Sequence, residues 1–210
     1  MTEQLGIVEI LGIAGSVSLL SGWRLYLTVL ATGLAMHFNV LPLPEHLKAL
    51  QVLANPWVMG VAGVAAFMEF FADKIVWLDS VWDTVHTLIR PIGGALLTLA
   101  VVDPGDPATQ AIAFILGGGA ALLAHGGKAS ARAVVNTSPE PFSNVAVSTV
   151  EDVATTGLLY LAYSHPVAAG VVALVLLVLA IALLVIAWRV LRRVFLRVQS
   201  DSVTPRSIEG

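Results

Sequence analysis

The side chains of this chain that could do chemistry are charged groups standing inside apolar stretches. Arg24 lies within a stretch that runs from about Leu5 to Phe38. A guanidinium stays protonated at any ordinary pH, so Arg24 needs a carboxylate partner, a water-filled cavity or the membrane interface. Carboxylates occupy apolar stretches too. The predicted residues of an ion- or solute-binding site are Arg24, Glu69, Asp73, Arg132, Asn136, Glu151 and Asp152.

Two glutamates, Glu69 and Glu151, carry most of this hypothesis. A carboxylate in apolar surroundings either pairs with a cation or exchanges protons near neutral pH. Glu69 is expected to pair with Arg24. Glu151 or Asp152 is expected to pair with Arg132. Two interpretations stay open: a transport site, which intramembrane ionisable residues favour because apolar residues would be less costly there, or interhelical salt bridges that only stabilise the fold.

A second polar face lies between residues 75 and 90. Spacings of four, three and four residues place its members on one side of a helix: Asp79, Asp83, His86 and Arg90. Apolar residues, including Trp77 and Trp82, cover the other side. The pattern predicts an amphipathic helix lying in the membrane interface. The alternative is a proton or metal site built from the two aspartates and the histidine, which the arginine would oppose by repelling a cation.

The connection over residues 125–144 is a third polar region. Proline fixes φ, so the Pro-Glu-Pro turn within it is stiff. Its oxygens could line a polar vestibule, with Asn136, Glu140 and Asn144 as candidate residues. The alternative is a rigid entry to the helix that follows, which Asn144 could cap.

The composition defines the class of protein. Hydrophobic residues make up 57% of the chain, charged residues only 12%, and the mean hydropathy is +0.87. Soluble domains carry roughly 25% charged residues, so the chain is expected to lie in a membrane with the lipid bilayer as its partner. There is no polybasic patch of the kind that nucleic acid requires. The absence of cysteine excludes disulfides and thiolate metal sites.

Six apolar segments predict an all-α, polytopic membrane protein with about six transmembrane helices. They cover about 5–37, 55–74, 90–102, 108–126, 145–163 and 166–188. The first is too long for a simple span, so it is either long and tilted or broken near Ser21-Gly22. The segments form a single transmembrane domain over 1–198, followed by a polar tail over 199–210.

The basic residues predict the orientation. An arginine cluster follows the sixth segment, at Arg189, Arg192, Arg193 and Arg197. Cytoplasmic loops are enriched in Lys and Arg, so the C-terminus is expected in the cytoplasm. Counting back over six spans places the N-terminus there as well.

A faint internal similarity suggests two halves, 5–103 and 107–190. The S-G-W-R run ending at Arg24 resembles the S-A-R run ending at Arg132. The run beginning at Glu69 resembles the run beginning at Glu151, with an alanine three residues on. Two inverted three-helix halves, an architecture common among transporters, and a chance match are both left open.

Longer motifs resemble a known family. They are S-G-W-R ending at Arg24, E-F-F-A-D-K-I from Glu69, W-D-x-V-H-T-x-I-R-P over 82–91, R-A-V-V-N-T-S-P-E-P-F-S-N over 132–144 and S-x-x-E-D over 148–152. Together they resemble the uncharacterised bacterial integral membrane family catalogued as domain of unknown function 4126, over roughly residues 10–165. The resemblance implies a bacterial inner-membrane protein. It implies no reaction, substrate or cofactor.

A weaker likeness exists to cation/proton exchangers that carry two E-x-G-D-K/R repeats. The run from Glu69 to Lys74 is one residue longer than that repeat and lacks its glycine. Glu151-Asp152 lacks the basic residue. The likeness is an analogy and not membership.

These patterns favour a transporter or channel-like protein for a small ion or polar solute. The alternative is a non-transporting membrane protein that binds lipid or scaffolds a partner, and homo-oligomer formation is left open. We expect no enzyme activity and no cofactor, since the sequence has no G-x-S-x-G, H-E-x-x-H or Walker A motif.

Overall fold

The computed structural model of the chain describes residues 6–40, 45–102, 105–135 and 141–203. These residues form six α-helices and one 3-10 helix, and this described part contains no strand. The α-helices are α1 (Ile7–His37), α2 (Pro56–Ala72), α3 (Val76–Val101), α4 (Pro107–Val135), α5 (Pro141–Ser164) and α6 (Pro166–Val203), and the 3-10 helix (Glu45–Ala54) lies between α1 and α2.

Local chemistry explains where several helices begin. Proline is the first residue of α2, α4, α5 and α6, where its fixed φ suits a helix and its missing N–H is not needed. Asn55 caps α2, because its Oδ1 accepts a hydrogen bond from the Trp57 N–H at 2.9 Å. Asp106 caps α4 by accepting from the N–H groups of Ala108 and Thr109, both at 3.1 Å.

The helices are those of a polytopic membrane protein. Five of them, α1 and α3 to α6, are long and apolar enough to cross a membrane, and α2 is a shorter apolar helix. Large apolar side chains cover the outside of the bundle, among them Trp57, Phe67, Leu116 and Leu174. The prediction of an all-α, multi-pass membrane protein is confirmed.

One continuous helix, α3, takes the place of two predicted elements. The interfacial helix expected over 75–90 and the short segment expected over 90–102 join, and Pro91 lies inside α3 without ending it. The predicted polar face is buried, whereas Trp77, Val81 and Leu88 are exposed. The structure therefore revises the interfacial placement: the apolar side of α3 faces outward, and the polar side turns into the bundle, where it finds partners.

α1 is broken at Arg24. Residues 7–23 form a first arm and residues 25–37 a second arm, and Arg24 between them has non-helical backbone angles (φ −144°, ψ 71°). Ser21 and Gly22 directly precede this break. Of the two alternatives for the first apolar segment, the broken helix is the one that the structure contains.

The two arms run in opposite directions. In the first arm, Gly12 packs so closely against the first residue of α6 that a Cβ there would overlap its carbonyl oxygen. At the break, Arg24 Nη2 donates to Ser148 Oγ at 2.9 Å. In the second arm, Thr32 Oγ1 lies 3.0 Å from Tyr163 OH, and Tyr163 is about 22 Å along α5 from Ser148. The arms therefore form a helical hairpin with Arg24 at its tip.

The hairpin determines what lies at each end of the bundle. At one end of the bundle, α2 connects to α3; this α2–α3 end contains residues 73–75 and the last turns of α4 and α6. At the other end, α5 connects to α6; this α5–α6 end contains residue 165, the 3-10 helix and the open end of the hairpin. Because the hairpin returns to the end from which it started, Gly6 and the end of α6 lie at opposite ends. This arrangement differs from the count of six simple spans, and the placement of the two chain termini relative to the membrane stays a prediction.

The largest apolar core joins the hairpin to its neighbours. It consists of Ile13, Ala14, Val17, Leu20, Leu25, Leu47, Leu50, Leu53, Leu97, Val101 and Leu159. The leucines of the 3-10 helix and the last turns of α3 and α5 place much of this core toward the α5–α6 end. Polar side chains gather toward the α2–α3 end instead.

Candidate functional site

The hairpin tip places Arg24 among carboxylates from two other segments. Arg24 Nη1 contacts Asp73 Oδ2 at the end of α2. Its Nη2 lies 3.4 Å from Glu151 Oε2, and its Nε lies 3.1 Å from Asp152 Oδ1, both on α5. Nη2 also donates to the Ser148 carbonyl oxygen at 3.2 Å. The buried guanidinium therefore meets three carboxylates, and the break in α1 is what brings it to them.

Asp73 is the shared anion of this first cluster. Besides Arg24, its Oδ2 lies 3.2 Å from Lys128 Nζ and 3.0 Å from Arg132 Nη2. Burial alone would raise the pKa of the Asp73 carboxyl, but Lys128, Arg24 and Arg132 outweigh burial and lower this pKa from 3.8 to about 2. Asp73 is therefore ionised throughout the physiological range.

Glu151 contacts the same cations. Its Oε2 lies 3.4 Å from Lys128 Nζ and 3.5 Å from Arg132 Nη2. Of the two predicted partners of Arg132, Glu151 is present and Asp152 pairs with Arg24 instead. Residues of α4 and α5 thus close the first cluster around the hairpin tip.

A second cluster surrounds Arg90 of α3. Arg90 Nη2 donates to Glu69 Oε1 at 2.6 Å, and Nη1 lies 3.3 Å from Asp83 Oδ1. Nη1 also donates to His125 Nδ1 at 2.6 Å. The predicted pair of Glu69 with Arg24 is wrong, because Arg90 points into the bundle and takes Glu69 as its partner.

Two basic side chains also satisfy backbone carbonyls freed by the break in α1. Arg90 Nη1 lies 3.4 Å from the Gly22 carbonyl oxygen, and Lys128 Nζ lies 3.2 Å from the Trp23 carbonyl oxygen. The last carbonyls of a helix have no partner within the helix and attract cations. Both ion clusters therefore hold the hairpin tip in place.

Two clefts reach the clusters from different sides. The first has a volume of about 250 Å³, and its wall includes Arg24, Ala66, Glu69, Phe70, Asp152 and Thr156. The second has a volume of about 230 Å³, and its wall includes Asp79, Asp83, Thr87, His125, Ala129 and Arg132. Arg24 and Glu69 do not pair, yet they line the same cleft. Glu69 is 1% exposed, and its Oε2 has no hydrogen-bond partner among the described residues.

His86 lies beside the second cluster without joining it. Its Nδ1 is 2.7 Å from the Trp82 carbonyl oxygen and therefore donates, so its Nε2 accepts from Tyr26 OH at 3.0 Å. The ring also stacks on Trp82, with centroids 4.3 Å apart. In the part of the chain that the structure describes, no group of three His, Asp or Glu side chains could hold a metal ion, so the predicted metal alternative for this face gains no support.

The structure brings together most of the predicted residues. Arg24, Asp73, Arg132, Glu151 and Asp152 meet in the first cluster, and Glu69, Asp83 and Arg90 meet in the second. Asp79 is buried on the wall of the second cleft. Asn136, Glu140 and the side chain of Asn144 lie outside the described residues, so the predicted vestibule stays a prediction.

Sequence reasoning missed three members of the clusters: His125, Lys128 and Ser148. His125, Lys128 and Arg132 follow one another at spacings of three and four, which places them on one face of α4. Ser148 stands four residues before Asp152 on α5. The helical spacing was therefore a signal that could have found all three.

Comparison with known proteins places the chain in a family but supplies no activity. No curated protein and no solved structure matches it. A family model described as "Domain of unknown function (DUF4126)" matches residues 11–186. Since this match spans most of the chain and all the residues of both ion clusters, the chain belongs to that family.

Proposed function

We propose that the protein transports a small cation or a proton across the membrane, with Glu69 as the group that binds it. The observation that carries this proposal is the state of Glu69. One carboxylate oxygen is held by Arg90, while the other is buried in the wall of a cleft and has no hydrogen-bond partner in the part of the chain that the structure describes. A buried carboxylate oxygen without a donor is unfavourable unless a ligand or a proton satisfies it.

The charges of the site favour a cation over an anion. Among the described residues, the two clusters contain five carboxylates, Glu69, Asp73, Asp83, Glu151 and Asp152, and four basic side chains, Arg24, Arg90, Lys128 and Arg132. The basic groups are engaged by carboxylates, carbonyls or hydroxyls. The surplus negative charge therefore attracts a cation or a proton.

The depth of the site suits a pathway that is open from one end. Arg90 lies about 21 Å along α3 from Val76, so the polar groups extend from the α2–α3 end through about two thirds of a hydrocarbon layer that is about 30 Å thick. The apolar core lies beyond them, toward the α5–α6 end. Broken helices that end at charged sites are a recurring feature of transporters, because non-helical backbone is tolerated where it lines a cavity.

We further propose that the α2–α3 end faces the cytoplasm of a bacterium, in its inner membrane. Arg189, Arg192 and Arg193 near the end of α6 are exposed at that end of the bundle. Lysine and arginine are enriched on the cytoplasmic side of membrane helices.

The alternative is a lipid-binding or scaffolding protein, and the observation that favours it is the pairing within the first cluster. Arg24 is paired with three carboxylates, and such a set stabilises a fold without any solute. We propose no enzyme activity, since the groups that meet here are ion pairs rather than a nucleophile with its base.

Flux measurements in liposomes test the proposal. We expect wild-type protein to carry a proton or cation flux above that of empty vesicles, in a screen of Na⁺, K⁺, Li⁺ and Mg²⁺ gradients with a pH-sensitive dye. Glu69→Gln should lower the flux by about tenfold or more, because it removes the charge and keeps the shape. The matched control is Glu9→Gln, a glutamate near the start of α1 that accepts from the Gly6 N–H at 2.6 Å.

The control variant should retain wild-type flux. Wild-type vesicles that behave like empty ones, or a Glu69→Gln variant with full flux, would contradict the proposal and favour the scaffold. Size-exclusion profiles of all three proteins show whether a lost flux reflects lost folding.

A further inference from the structure

The hydrogen bond between Arg90 and His125 fixes the protonation state of the histidine. A guanidinium has five N–H donors and no acceptor, so His125 Nδ1 must accept the bond from Arg90 Nη1 at 2.6 Å. The ring is therefore neutral, with its hydrogen on Nε2. Nε2 lies 3.1 Å from the Asp83 carbonyl oxygen and 3.2 Å from Thr87 Oγ1, where that hydrogen finds an acceptor.

We infer that His125 binds the proton that is exchanged for the cation at Glu69, and that Arg90 transmits the exchange. This inference rests on the proposed function. Nδ1 carries the only free lone pair of the neutral ring, and Arg90 occupies it. A proton and Arg90 therefore compete for one lone pair, so His125 cannot be protonated without giving up this hydrogen bond.

The exchange step is a simple proton uptake. Water in the second cleft, whose wall includes His125, supplies one proton. The proton arrives as hydronium: one of its O–H bonds breaks and leaves water, an N–H bond forms at Nδ1, and the site gains one positive charge. Two cations then face each other, so the guanidinium moves away from His125 toward Glu69, whose Oε2 is free to accept it. Glu69 then no longer offers an oxygen to a cation, and proton and cation exclude each other.

The other charged groups around His125 do not replace this coupling. Arg90 and Asp83 face it from α3, and Lys128 lies one turn further along α4. From α1, the Gly22 carbonyl oxygen contacts Arg90. Asp79 and Arg132 share the wall of the second cleft with His125. α6 meets α4 at Gly126 and Gly127 through apolar side chains, Leu184 and Ala180. Among these groups, Arg90 is the one that touches both His125 and Glu69.

Nuclear magnetic resonance on protein labelled with ¹⁵N-histidine and ¹³C-glutamate tests the inference without any transported ion. Samples in choline chloride buffer are titrated from pH 8 to pH 5, and Glu69→Gln and His125→Asn assign the signals. At pH 8, His125 should show its hydrogen on Nε2, whereas His86 should show its hydrogen on Nδ1. As His125 becomes an imidazolium, the Glu69 carboxylate signal should shift with the same midpoint.

In His125→Asn the shift of Glu69 at that midpoint should be lost, since asparagine can accept from Arg90 but cannot bind the proton. His125→Gln serves if the asparagine variant does not fold, and the exposed His165→Asn, which should retain the shift, is the matched control. A wild-type His125 with its hydrogen on Nδ1, or a Glu69 shift that persists in His125→Asn, would overturn the inference. Flux that depends on Glu69 would in that case leave the proposed function standing, whereas coupled signals in a protein without flux would overturn the proposed function alone.

Discussion

Arg24 and Arg90 are both fully buried, but their surroundings differ. Arg24 forms the tip of the hairpin, and Arg90 contacts the tip at the Gly22 carbonyl oxygen. Arg24 contacts three carboxylates, and Lys128 and Arg132 share two of them with it, Asp73 and Glu151. Arg90 has one short carboxylate contact, with Glu69, and its other short contact is with neutral His125. The first cluster is densely paired, whereas the second depends on groups that can change their protonation or their partner.

This difference separates stability from function. Asp73 neutralises three buried cations, Arg24, Lys128 and Arg132, so removing its charge leaves all three short of a partner. Asp73, whose pKa is about 2, is ionised at neutral pH. Among the described residues, Asp73 Oδ1 and Glu69 Oε2 both lack a hydrogen-bond partner, but Glu69 lies on the wall of a cleft and Asp73 lines neither of the two clefts. We therefore assign the first cluster to holding the hairpin and the second to binding the transported ion.

The largest effect is expected from Asp73→Asn. The variant keeps the shape of the side chain but removes the anion shared by Arg24, Lys128 and Arg132. Removing one partner of a buried ion pair lowers the free energy of unfolding by about 3–5 kcal/mol. Chemical unfolding of the purified protein in detergent measures this loss.

Glu69→Gln is the matched control for that measurement, since it removes the charge of an equally buried carboxylate. Its oxygen still accepts from Arg90, which among the described residues is the one cation within salt-bridge distance of Glu69, so the free energy of unfolding should fall by only about 1–3 kcal/mol. Equal losses in the two variants would show that the two clusters do not differ in the way proposed here.

A smaller effect is expected from pH acting on Asp73. The pKa of this carboxyl is about 2 in the folded protein, below its ordinary value of 3.8, so its ionised form stabilises the fold. This contribution is complete above pH 3.8 and is lost as the pH falls through about 2. The difference in melting temperature between wild type and Asp73→Asn should therefore stay constant from pH 8 to pH 5 and shrink on further acidification. A difference that already shrinks between pH 8 and pH 6 would contradict the assignment.

The sequence predicted the class of protein and the residues of the site better than it predicted which of these residues form ion pairs with each other. Helical spacing correctly put Asp79, Asp83, His86 and Arg90 on one face of α3, but spacing does not tell whether that face meets water or the interior. In lipid, the apolar face is the outer one, and this reverses the expectation. Because Arg90 points into the bundle, it lies nearer to Glu69 than Arg24 does. The prediction from sequence assigned the carboxylates to Arg24 and Arg132 alone, so it could not include the pair of Glu69 with Arg90.

The hairpin is a feature that the sequence patterns did not predict. The length of the first apolar segment and the Ser21-Gly22 pair indicated a break, but a tilted helix and a hairpin have the same composition. The direction of the second arm depends on tertiary contacts such as Thr32 with Tyr163. The first half of the chain contains this hairpin, whereas α4, α5 and α6 are continuous helices. The two inverted three-helix halves stay a prediction.

The smallest effect is expected from Ser148→Ala, which tests how densely Arg24 is paired. The variant removes the hydroxyl that accepts from Arg24 Nη2 at 2.9 Å and from Lys74 Nζ at 3.2 Å, while the Ser148 carbonyl oxygen and the three carboxylates stay in place. The free energy of unfolding should fall by only about 1 kcal/mol, because Arg24 keeps the Ser148 carbonyl oxygen and Lys74 keeps the Phe70 carbonyl oxygen as acceptors, and the flux should not change. Thr149→Ala, which removes a neighbouring exposed hydroxyl that donates to the Val145 carbonyl oxygen, is the control in the same unfolding assay. A loss for Ser148→Ala as large as that for Asp73→Asn would mean that the carboxylates around Arg24 do not stabilise it independently of the serine, and the distinction between the two clusters would then rest on Arg90 alone.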